Sequence, residues 1–198
     1  MGTTLTWIGL LLFAAGSDSA WDAVAEFRPD ANPAGPWTYG YTSYDYTRVD
    51  GDTGASQPSF RAHNTPGTTG EGFPCWWTDN WSAVGGAISK TPDTGLREVS
   101  GFRFVPGWLL LHPGPQDQQA TLRFTAPSDC QLLVTAHFGG THPTTSTDIH
   151  LFHNTSELYS ARIRGLADWD HPDRTPQATS SCTRLVSLRT SDTLDCTF

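Results

Sequence analysis

The chain has one lysine, Lys90, and only four glutamates, Glu26, Glu71, Glu98 and Glu157, in 198 residues. With 12 basic against 20 acidic side chains the net charge is −8. Such a surface repels phosphate backbones and anionic membranes, which sets nucleic-acid binding aside. Scarce glutamate thins the supply of paired carboxylates for glycoside hydrolysis, although such partners converge only in space. There is no G-x-S-x-G elbow, no H-E-x-x-H and no P-loop. The four cysteines include no CxxC pair, so a zinc ribbon or thioredoxin-like redox site is excluded. No long stretch places apolar residues at three-and-four spacing, so long helices are absent from the expectation. Beyond residue 20 no run is apolar enough for a membrane helix.

What is present points to strands. The 19 glycines and 14 prolines suit many turns. The stretch 107–154 organises the rest. Ala120–Phe124 alternates apolar and polar residues, Leu132, Val134, Ala136 and Phe138 fall on one face, and Ile149 and Leu151 flank His150. Period-two spacing gives each strand one dry and one wet face. The fold class expected is all-β, an antiparallel β-sandwich. Further strands are expected over Trp21–Phe27, Trp37–Tyr41, Val84–Lys90, residues 158–163, and a closing pair over Thr183–Leu188 and Thr193–Phe198. His112–Pro115 reads as a turn. At this length one domain is expected, over residues 21–198, with a long loop insertion at about 50–100. The chain stops on a strand pattern at Phe198.

Residues 1–20 read as a secretory signal peptide, with cleavage near 16–20. The apolar run Leu5–Ala15 is short for a bilayer span and small residues follow it, although no Lys or Arg precedes it. A buried first strand is the other reading. Export implies a secreted or cell-surface protein without a transmembrane segment once the signal is removed.

Four groups could carry function. Trp76, Trp77 and Trp81 make a candidate sugar-stacking platform, because a pyranose presents C–H groups to an aromatic face; the alternative is that they pin a loop to the body. Asp168, Asp170 and Asp173 supply the hard oxygen atoms calcium prefers, and Asp50–Gly54 is a second such loop; both also read as solvated turns. His137, His142, His150 and His153 lie near the central strands without converging, so Asp148 and His150 read as a structural pair. Cys182 and Cys196 both point inward by parity, which makes Cys182–Cys196 the first choice of disulfide and Cys75–Cys130 the second, with buried thiols as the alternative. No catalytic set and no obligate cofactor is expected. Asn80-Trp81-Ser82 and Asn154-Thr155-Ser156 match the glycosylation sequon.

Several motifs together resemble a known family. Glu26-Phe27 through Asn32-Pro33-Ala34-Gly35-Pro36-Trp37-Thr38-Tyr39-Gly40 resembles the "F…NPNG-WSYG" opening of a secreted bacterial domain family, common in planctomycete-like and PEP-CTERM-bearing exported proteins. Leu111–Pro115 is similar to its "LHPGP" turn, Ala120–Pro127 to its "A-x-L-R-[WF]-T-A-P" strand, Thr147–Leu151 to its "T-D-V-H-V", and Val186–Asp195 to its "V-x-L-x-x-G-D-T-I-D-F". The resemblance covers nearly all of residues 23–198. It implies a jelly-roll sandwich shaped like a carbohydrate-binding module. It implies no activity, because the family's function is largely undefined. Ser191 and Cys196 depart from its Gly and Phe, and its last strand and sorting tail have no counterpart here. The functions expected are, first, a non-catalytic module for a glycan or cell-surface component; second, a self-associating matrix protein; third, a hydrolase.

Overall fold

The computed structural model describes residues 6–14, 20–43, 59–78, 86–115, 118–168 and 174–198. The chain is an all-β sandwich of two antiparallel sheets. The first runs β15 (Thr179–Leu188), β12 (Cys130–Gly140), β1 (Thr6–Ala14), β10 (Leu109–His112), β7 (Ala87–Lys90), β6 (Pro74–Trp77), β5 (Thr65–Thr68), with β2 (Ala20–Asp22) against β1. The second runs β14 (Ser156–Arg164), β13 (Ser146–His153), β16 (Thr193–Thr197), β11 (Gln118–Thr125), β3 (Trp37–Ser43), β4 (Ser59–Ala62). A separate hairpin joins β8 (Arg97–Val99) to β9 (Phe102–Phe104).

The alternating stretches pack as their period dictates. Leu132, Val134, Ala136 and Phe138 on β12 are fully buried, as are Ala120, Leu122 and Phe124 on β11. Residues of both sheets share one core, and Phe138 meets Phe198 edge-on at 5.7 Å. Trp37 and Trp21 both pack edge-on against Phe124, at 5.2 and 5.4 Å. The Asn32-Pro33 stretch is tied in by the Asn32 amide. Its Nδ2 donates to the carbonyls of Tyr39 and His63, and its Oδ1 accepts from the Tyr39 N–H.

Several expectations need correction. The strand expected over Trp21–Phe27 stops at Asp22, whose carboxylate accepts from the N–H groups of Val24 and Ala25 and so holds a turn. Among its described residues the 50–100 loop carries β4, β5, β6 and part of the hairpin besides β7, which falls within the strand expected over Val84–Lys90. The closing pair does not pair with itself. β15 joins β12 in the first sheet, while β16 lies between β13 and β11 in the second. The turn between them changes sheets, with Ser191 at φ 72° and bound through its N–H to the Ala126 carbonyl. Alternation fixes which side of a strand is dry; it does not choose the neighbour.

Candidate functional site

The part of the first sheet formed by β10, β7, β6 and β5 is covered on both faces. Its inner face carries Trp76, Ile88, Leu109 and Leu111 into the main core. Register fixes the outer face: Trp77 lies opposite Ala87 and Ala87 opposite His112; Cys75 lies opposite Ser89 and Ser89 opposite Leu110. Against that outer face sits a second apolar cluster, Phe73, Phe104, Leu110, Ala167 and Ala178, with Phe102, Val105 and Trp108 packed on it. Sheets with one wet face need no such cover, so the hairpin and its aromatic side chains build something extra.

Between the hairpin and the sheet lies a cleft of about 360 Å³. This is within the range of small-molecule sites, about 300–1,000 Å³. Trp77, Ala87, Ser89, Leu110 and His112 form its floor, Phe73, Phe102 and Phe104 its wall, and Thr69, Gly70 and Glu71 its rim. The wall is internally braced. Phe73 meets Phe104 edge-on at 5.2 Å, Phe102 stacks parallel to Phe104 at 6.2 Å, and the His142 ring lies 4.6 Å from Phe102. The hairpin is anchored to the body by the Arg103 N–H on the Thr141 carbonyl and braced internally by Arg103 paired with Glu98 at 3.0 Å. Arg97 clamps the rim, donating to the Glu71 carbonyl while its guanidinium lies 5.6 Å from the Phe73 ring centre. The rim turn is closed by the Thr69 N–H on the Phe73 carbonyl and the Phe73 N–H on Thr69 Oγ1.

Two glycines make the floor possible. A Cβ on Gly67 would come within 2.5 Å of the Trp77 ring, so the indole lies across bare backbone of β5. Gly86, at φ +61°, sits where any Cβ would overlap the His112 carbonyl oxygen. His112 Nδ1 donates to the Pro113 carbonyl at 2.7 Å, which orients the imidazole. Beside the floor, burial pushes the Cys75 thiol up to about 11, so it is a packing group and not a nucleophile.

The tryptophans expected as one platform are divided. Trp76 is buried in the core, and its Nε1 donates to the Arg28 carbonyl at 2.7 Å. Trp77, its neighbour, faces the opposite way and lines the cleft. Trp81 lies outside the described residues. Of the acidic loop, Asp170 and Asp173 also lie outside them, as does Asp50–Gly54; Asp168 is half-buried and its N–H donates to Thr175 Oγ1. Among the described residues no three His, Cys, Asp or Glu side chains gather as a metal site. His137 is exposed on β12, and His142 bonds Thr144. His150 pairs across the sheet with Glu157 at 2.5 Å and not with Asp148, which lies 3.7 Å from Arg162. His153 pairs with Asp192 at 3.1 Å. The Arg189 N–H, Asn154 and His153 hold the Asp192 carboxyl down at about 2.

All four cysteines are thiols here. Cys182 and Cys196 do point inward from opposite sheets into one core. Burial raises the Cys196 thiol well above its ordinary value, with Cys182 adding to the effect. Cys75–Cys130 does not form a bridge. Cys75 is on β6 and Cys130 on β12, four strand steps apart, or about 19 Å at ~4.8 Å per step. A disulfide needs Cα atoms within about 7 Å.

The cleft residues the sequence reading passed over are Glu71, Phe73, Ser89, Phe102, Phe104 and Leu110. Gly101-Phe102-Arg103-Phe104 carried a usable signal: two aromatics at period two in a stretch otherwise rich in turns.

Comparison with protein-family models, with curated proteins and with solved structures finds no match for this chain.

Proposed function

We propose that this chain is a non-catalytic binding module of the cell exterior, and that the cleft under the β8–β9 hairpin holds a glycan. The observation that carries the reading is Trp77 on the outer face of the sheet, packed against Gly67 and lining one cleft with Phe73, Phe102 and Phe104. Sugar rings pair apolar C–H faces with equatorial hydroxyls. An aromatic floor with Glu71, Ser89, Thr69 and His112 at its margins offers stacking and a few directional hydrogen bonds. The ligand class is a neutral oligosaccharide, because a chain with net charge −8 repels polyanions. Glu71 is the one carboxylate among the described lining residues, so the two-carboxylate arrangement of glycoside hydrolysis lacks its second member there. Location outside the cell rests on the leader-like N-terminus.

A glycan array probed with the wild-type chain and with Trp77→Ala tests this reading. Binding to neutral oligosaccharides, lost in Trp77→Ala at unchanged fold, is the expected result. Binding that survives in Trp77→Ala moves the site elsewhere.

Self-association is a second reading, favoured by one observation. Leu185, 61 % exposed on the edge strand β15, is in register with Leu133, 39 % exposed on β12. Light scattering over a concentration series decides it, and a Leu185→Lys variant returning an associated chain to monomer supports it.

A further inference from the structure

The apolar run that reads as an export leader is, in the structure, the strand β1. It pairs with β12 over nine positions, from Thr6 opposite Gly140 to Ala14 opposite Leu132, and with β10 over three, from Thr6 opposite Leu111 to Ile8 opposite Leu109. In the strand order β12 and β10 are separated by β1. Each flanking strand is fixed from its other side, β12 by ten registered pairs with β15 and β10 by four with β7. Without β1, the two would face each other across about 10 Å, two strand spacings. Both would present unpaired N–H and C=O groups. The gap would open onto fully buried Leu132, Val134, Ala136 and Phe138 of β12 and Leu109 and Leu111 of β10.

We infer that residues 20–198 form a strand acceptor, a slot with β12 on one side and β10 and β2 on the other, that takes an extended apolar segment antiparallel to Leu132–Gly140. Thr6–Ala14 is its tethered occupant in the full chain. The ligand class follows from the slot. It is a strand of about nine residues, free of proline where a second strand flanks it, β10 along Thr6–Ile8 and β2 along Leu11–Phe13, because ladders on both sides use its N–H groups. It is apolar at the positions opposite Val134 and Ala136, because directly opposed residues share a face and that face is the core. Main-chain pairing supplies the affinity and the alternate apolar positions the selectivity. Any processing that removes Thr6–Ala14 turns the tethered occupant into a vacancy for a segment of the same chemistry supplied in trans. β10 borders both the slot and, through Leu110 and His112, the cleft, but the strand-exchange test reads no glycan binding, so the two readings fail separately.

The test uses the full chain with residues 15–19 replaced by a specific protease site. After cutting, the N-terminal peptide is expected to co-elute with the body and to leave only on unfolding. On refolding, an excess of a dye-labelled, lysine-tagged Thr6–Ala14 peptide is expected to take its place, while the same peptide with Ile8→Pro, the position registered against both Leu109 and Phe138, does not. A peptide that leaves at once from a body with unchanged elution and cooperative unfolding overturns the inference, as does equal uptake of the proline peptide. If the inserted site prevents folding, hydrogen exchange on the uncut chain decides the matter. Ile8→Pro is then expected to remove amide protection from β10 and β12 while β11 and β16 keep theirs; unchanged protection on β10 and β12 overturns it.

Discussion

His63 predicts how stability falls with acid. It is 2 % exposed, with Nδ1 3.2 Å from Thr78 Oγ1 and its ring 5.8 Å from that of Tyr41. Nε2 is buried without a hydrogen-bond partner among the described residues. Burial lowers its pKa from 6.5 to about 4. The imidazole is therefore neutral in the folded chain at pH values where the unfolded chain already holds a proton. The stability it contributes is fully present above about pH 6.5 and is lost as pH falls toward 4, where the folded form protonates too. The separation of about 2.5 pH units, at about 1.4 kcal/mol each, caps the loss at about 3–4 kcal/mol. Against total stabilities of about 5–15 kcal/mol this is a large fraction. Urea unfolding at intervals from pH 7.5 to 4 measures it, with His63→Gln as control, since glutamine reaches Thr78 without titrating. The wild-type curve is expected to fall across this window and the His63→Gln curve to stay flatter. Equal slopes would refute the reasoning. Asp192 belongs to a separate, lower window: its depressed carboxyl contributes above about pH 4, and that contribution is lost as pH falls toward 2.

Three further outcomes follow from the packing. Trp76→Ala is expected to cost about 3–5 kcal/mol in chemical denaturation, the range for a buried large aromatic, while Trp77→Ala costs less and removes glycan binding. Gly67→Ala forces the Trp77 ring off β5, so affinity is expected to fall with little change in melting temperature, measured by calorimetric titration and thermal unfolding. Asp195→Ala removes both acceptors of the paired bonds from Arg123 Nε and a second guanidinium nitrogen, each 2.7 Å; with Arg123 partly exposed, the loss by denaturation is expected toward the lower end of about 3–5 kcal/mol.

The parts of the fold legible in the sequence were those where one strand's own alternation settles the answer. Leu122 and Phe124, or Val134 and Phe138, fall on a dry face whatever their neighbours are. The change of sheet between Leu188 and Thr193 was not legible, because it depends on partners distant in sequence. β4, β5 and β6 were obscured by being four residues each, too short for a period to establish itself. The site was half legible. Trp76-Trp77 stood out by composition, and strand parity alone would have sent one inward and one outward. That Trp77 lines one cleft with Phe102 and Phe104 requires the hairpin to fold back on the sheet, which the 97–104 stretch does not announce. The N-terminal run was ambiguous for a physical reason: a nine-residue apolar segment satisfies both a leader and a central strand.

The claim on which the account rests is that neutral sugar rings stack on Trp77 beneath the hairpin. The most direct measurement is a nuclear magnetic resonance titration that follows the indole N–H of Trp77 and the ring protons of Phe102 and Phe104 as oligosaccharides are added. The account predicts that these signals shift together and saturate, while the buried Trp76 indole stays in place. Saturating shifts confined to another surface, or none from any neutral glycan with the fold intact, would contradict it.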